Sequence, residues 1–134
     1  MRIILIFSVF FFLSLVIQGC DLLAAKYVDA TEDAGVREII STSGKTKVNL
    51  LMMGVDSYPS KKKVVYYVLV PAPGFVGPEV LSSSVLPRGT SIQITGAQRC
   101  VNCSPNRVRL SLKADGIVAE EPVYMDAEWI GFIE

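Results

Sequence analysis

Alternation of apolar and polar residues with a period of two, repeated in separate segments, limits most severely what this chain can become. In residues 90–95, Ile92 and Ile94 point one way while Ser91, Gln93 and Thr95 point the other. In residues 106–113, Val108, Leu110 and Leu112 oppose Arg107, Arg109, Ser111 and Lys113. Side chains alternate between the two faces of a strand, so each segment reads as a strand with one wet face. Residues 64–70, Val-Val-Tyr-Tyr-Val-Leu-Val, are apolar on both faces and rich in β-formers, which predicts a central strand. The run Lys61-Lys62-Lys63 before it reads as a solvated lead into that strand. Short strands are also expected over 36–40, 45–53, 117–119, 123–125 and 128–133, with Trp129 and Phe132 as core aromatics. Asp115-Gly116 signals a turn, and 90–95 pairs with 106–113 as a hairpin through the loop at 100–103. No segment after residue 35 sustains a helical period. The expected fold is all-β, a small barrel-like or sandwich domain of about six or seven short strands over 36–134. Closure of a barrel would remove exposed strand edges.

The N-terminus is a different material. Arg2 is followed by a stretch, 3–17, interrupted only by Ser8 and Ser14. As a helix it would span roughly 22 Å, short of a ~30 Å hydrocarbon core. A positive start, a short apolar stretch and a small residue at its end describe a secretory signal over 1–19 better than an uncleaved anchor. At its boundary, Ile17-Gln18-Gly19-Cys20 resembles the lipobox of bacterial lipoprotein precursors. That resemblance implies lipidation of the Cys20 sulfur and cleavage before Cys20, leaving an acylated N-terminus. Ile17 stands where Leu is more usual, and Gln18 is bulkier than typical. Several acyl chains anchor a protein durably where one holds it only marginally. Asp21 resembles the inner-membrane retention signal of enteric lipoproteins, which implies the periplasmic face of the inner membrane, with the outer membrane as the alternative. Residues 20–35, small-residue-rich and acidic, read as the lipidated N-terminus and a tether.

Removing 1–19 removes Arg2 and no acid, so twelve cations face thirteen acids. Such a balance gives little reason to bind nucleic acid or anionic lipid strongly. There is no His, so the commonest general base and a common metal ligand are missing and a Ser-His-Asp triad cannot form. With Cys20 assigned to lipid, Cys100 and Cys103 remain, and in an exported protein they read most simply as a disulfide that stiffens a turn. The alternatives are a redox pair, which wants a helix N-terminus, and half a zinc site, which wants four ligands. No metal and no cofactor are expected.

Other motifs give little. Ser43-Gly44-Lys45-Thr46 resembles the end of a phosphate loop, but Ile39 stands where that motif needs its first Gly. Asn102-Cys103-Ser104 has the form of a glycosylation site, but Pro105 follows and the lipobox implies a bacterium. Glu120 and Glu121 are adjacent, so on a strand they point apart and do not share a bond as acid and base. Ser60 and Lys61 are adjacent without any further sign of a dyad. Residues 86–96, a Gly-Thr turn leading into an alternating strand, together with the Trp-containing 128–133, faintly resemble bacterial SH3-like domains. The likeness bears on architecture alone.

Residues 71–88 stand out, with Pro71, Pro73, Pro78, Pro87, Gly74, Gly77 and three consecutive serines, Ser82 to Ser84. So long a stretch of turn residues in a compact domain predicts a functional loop. Phe75 and Val76, between the glycines, are the candidate contact anchors for an envelope protein partner. The competing expectation is that Phe75 folds back as a plug. The sequence therefore predicts a lipid-anchored, non-enzymatic binding or assembly module. An envelope redox accessory using Cys100 and Cys103, or an inhibitor or exclusion lipoprotein, are the alternatives.

Overall fold

The computed structural model describes residues 25–56 and 62–134. The signal, the lipobox with Cys20, Asp21 and the Ser60-Lys61 pair lie outside the described residues. Within them the chain is all-β. Its strands are β1 (Tyr27–Asp29), β2 (Ser43–Lys45), β3 (Leu50–Asp56), β4 (Val64–Pro71), β5 (Val80–Leu86), β6 (Ser91–Cys100), β7 (Val108–Ala114) and β8 (Val123–Asp126), followed by a 3-10 helix, Ala127–Phe132. They form one mixed sheet in the order β1-β6-β7-β8-β4-β3-β5, with β2 also on β6. Every pairing is antiparallel except β4 with β8.

The ladder is open, so the barrel-like closure expected from sequence is not made by strand pairing. The C-terminal end of β5 is instead sewn to the β2 side through buried Thr46. Its hydroxyl donates to Pro87 O at 2.8 Å and accepts the Thr90 N–H at 3.1 Å. Its carbonyl accepts the Gly89 N–H at 2.7 Å, so this buried residue leaves no polar group idle.

The inner face of the sheet holds the core: Leu50, Leu69, Leu86, Ile92, Ile94, Ala97, Leu110, Leu112, Val123 and Met125. The alternation read in β6 and β7 delivers these residues, with one adjustment. A register shift falls between Ile94 and Gly96, so Thr95 is extra and the inward series runs Ile92, Ile94, Ala97. β3 is buried on both faces, because residues 71–75 fold over its outer side. A Cβ on Gly74, whose φ is +75°, would sit 3.0 Å from Met53 and 3.1 Å from Leu51.

Several expectations differ from the structure. Residues 36–40 are turns whose Val36, Ile39 and Ile40 pack on the core, with the Arg37 N–H returning to Asp33 O at 3.0 Å. Residues 117–119 form no strand, and 128–133 is mostly 3-10 helix, although Trp129 and Phe132 do pack against the core. Residues 80–86, read as loop, are β5, made a strand by its ladder to β3. Within the tether, Tyr27–Asp29 is a strand on β6, and Ala30 is buried with its N–H on Ala97 O at 2.9 Å.

Candidate functional site

The outer face of the sheet gathers aromatic and charged side chains from distant parts of the chain. The ladder register sets them side by side: Arg109 lies opposite Gln98 on β6 and Asp126 on β8, and Val68 on β4 lies opposite Tyr124. Tyr27 enters from β1, opposite Cys100. The result is a shallow concavity of about 400 Å³ whose walls include Tyr27, Tyr66, Phe75, Arg107, Arg109 and Trp129.

Arg109 is its centre. The guanidinium carbon lies 3.7 Å from the ring centre of Tyr27, 3.9 Å from that of Tyr124 and 5.5 Å from that of Tyr66. A guanidinium between ring faces gains from each quadrupole, roughly 0.5–2 kcal/mol per ring according to how dry the site is. Its Nε donates to Gln98 Oε1 at 2.9 Å, which fixes the plane of the fork. Tyr66 and Tyr124 meet edge to face, with centres 6.0 Å apart. Burial pushes the Tyr66 phenol above its ordinary value, against the opposing pull of Arg109. At the rim, an Arg107 terminal nitrogen donates to Asp126 Oδ2 at 2.6 Å, and this bond raises the guanidinium further. The face is therefore pre-organised: rigid rings, one locked cation and a charged rim.

The CxxC pair contributes from below. Cys100 and Cys103 are joined as a disulfide with Cα atoms 5.5 Å apart, at the loop between β6 and β7. Within that loop Asn102 Oδ1 accepts the Lys26 N–H at 2.7 Å, and the Val101 N–H donates to Lys26 O at 2.9 Å. The stiffened turn thus holds the start of β1 and with it Tyr27.

Of the loop anchors, Phe75 is 37% exposed and forms one wall of the concavity, while Val76 is wholly exposed beside it. Ser43-Gly44-Lys45 is strand, and Gly44 is there because a Cβ would come 2.5 Å from Glu134 O. Glu120 and Glu121 border a second, open cleft of about 990 Å³ between the ends of β6 and β7 and residues 115–122. Glu121 reaches Lys63 at 3.9 Å. Among the described residues, no group of three or more His, Cys, Asp or Glu side chains converges as a metal site. No helix among them is long and apolar enough to cross a membrane.

Sequence reasoning put Arg107 and Arg109 on a wet face and Tyr66 in a doubly apolar strand, without a reason to bring them together. The signal was the excess of Tyr and Arg at outward positions of separate strands; the register that assembles them is non-local. Comparison with protein-family models, with curated proteins and with solved structures gives no match.

Proposed function

We propose that this protein is a lipid-anchored envelope lipoprotein whose β domain is a non-enzymatic binding module, and that the Arg109-centred concavity is its docking site for a protein partner. The observation that carries the docking site is the stacking of Arg109 between Tyr27 and Tyr124, inside a wall that includes Phe75 and Trp129. Tyr, Trp and Arg are the residues that dominate binding energy at protein interfaces: Tyr and Trp bring large rigid area with little entropy to lose, and Arg brings charge, a planar fork and stacking. The concavity of about 400 Å³ is open and shallow, a shape that accepts one or two side chains protruding from a partner's surface. Exposed Val76 extends the apolar surface beyond the wall, and the Arg107–Asp126 pair supplies a polar rim. The anchor rests on the lipobox at Ile17–Cys20.

A photo-crosslinking residue placed at Phe75 in growing cells tests the site. A discrete adduct is expected that is absent with the same probe at Lys113 and is lost on adding Arg107→Glu. Adducts indistinguishable from those at Lys113 would refute the docking site. The anchor is tested separately: a Cys20→Ser chain is expected to leave the membrane on carbonate washing, and firm retention would refute lipidation.

A further inference from the structure

We propose that β5 is a homodimerisation strand, and that its occupant is β5 of a second copy of this chain, paired antiparallel about Ser83. β5 is the last strand of the sheet, and among the described residues only β3 pairs with it. Ser82, Ser83, Ser84 and Val85 are all exposed, and Leu81 and Val85 expose 40% and 61% of their surface. Edge strands in monomers are ordinarily guarded by charge, proline or bulges, since their free N–H and C=O groups template another strand. Val80–Leu86 has no charge and no proline. Its one guard is the irregularity opposite Gly54 and Val55, where Leu81 is extra, and it leaves Ser82–Leu86 in regular register.

The sequence of the strand selects the occupant. A two-fold interface must be complementary to itself. Leu81-Ser82-Ser83-Ser84-Val85 reads the same in both directions in chemical type. Antiparallel pairing about Ser83 sets Leu81 against the partner's Val85, Ser82 against the partner's Ser84, and Ser83 against itself. Apolar thus meets apolar at both ends and hydroxyl meets hydroxyl between them, which are favourable cross-strand pairs. The flanks agree. Exposed Glu79 precedes the strand and exposed Arg88 follows it, so the antiparallel arrangement brings opposite charges near each other at both ends. Parallel pairing would set like against like.

The full chain, purified in detergent with Ser83→Cys, is oxidised and run on a non-reducing gel. Side chains directly opposite each other lie about 4.5–5.5 Å apart, within reach of a disulfide. At least fivefold more covalent dimer is expected from Ser83→Cys than from Lys113→Cys or the unmodified chain. Equal yields would overturn the proposal. Charge reversal gives the second arm. Ser83→Lys and Ser83→Glu chains are each expected to fail to associate with themselves, and a mixture of the two to form the heterodimer. An unmodified chain that is monomeric at tens of micromolar, or a mixture that stays monomeric, would overturn it. So would a Ser83→Cys chain that crosslinks in cells to a different protein and not to itself.

Discussion

At one end of the sheet the long strand β6 has its outer edge covered twice, by β1 near its C-terminus and by β2 near its start. Arg99 on β6 reaches across to Asp33, and the Asn102 and Lys26 bonds clamp the disulfide loop onto the incoming chain. At the other end β5, neutral and rich in serine, has no strand on its outer edge among the described residues. Both edges present the same backbone groups, so the difference comes from the segments around them. The covered edge recruits an N-terminal stretch of little hydrophobic content, held by backbone bonds and one buried alanine, Ala30. Among the described residues the bare edge has β3 as its one strand partner. An edge closed by the chain itself builds a site, here through Tyr27. One left open invites another chain.

The comparison breaks most severely if the shared core is removed. Leu110 is fully buried on β7, between the two ends. Leu110→Ala is expected to cost about 2–5 kcal/mol by lost contact and residual cavity. Urea unfolding followed by probes on β1 and on β5 should shift both midpoints together. Non-coincident shifts would mean the edges are not parts of one cooperative unit.

Ala30→Pro removes the N–H that bonds Ala97 O, and should cost about 1–3 kcal/mol while loosening β1. Amide exchange should then rise at Tyr27–Asp29 and leave β3 and β4 protected, and Tyr27 should leave Arg109. At the bare edge, Ser83→Lys should change unfolding free energy by no more than about 0.5 kcal/mol, because that side chain is exposed. A larger loss would show that β5 is constrained as tightly as the covered edge.

Two pH effects sharpen the picture further. Tyr66 has its phenol raised by burial, so its contribution is present below its ordinary value of 10.0 and is lost as pH rises through and beyond it. Tyr66→Phe should flatten the fall in urea midpoint between pH 9 and pH 11; an unchanged slope would contradict the burial of that hydroxyl. The smallest effect lies in the turn after β1. Thr31 donates its hydroxyl and its N–H to Asp29 Oδ1, at 2.6 and 3.0 Å, and these bonds hold the carboxyl below its ordinary 3.8. Their contribution is present above that value and fades as pH falls through the lowered one. The protection of the Ala30 amide, taken against its intrinsic exchange rate at each pH, should fall there in the natural chain and stay level in Asp29→Asn.

Local pattern carried the all-β class and the strands over β4, β6 and β7, because burying one face of a strand demands alternation and burying both demands a continuous apolar run. It also carried the turn between β6 and β7 and the joining of Cys100 with Cys103, which are near neighbours in sequence. What only the tertiary structure decided depends on partners far along the chain. Val80–Leu86 has the composition of a loop and becomes a strand because β3 offers it a ladder. Val36, Ile39 and Ile40 are apolar at intervals a strand can use, yet they turn and cap the core from one side. The aromatic cage around Arg109 exists because the order β1-β6-β7-β8-β4 brings Tyr27, Arg109, Tyr124 and Tyr66 onto one face. Hydrophobic periodicity tells each strand which way to face; it carries no record of which strand lies beside it, and that neighbour is what makes the site.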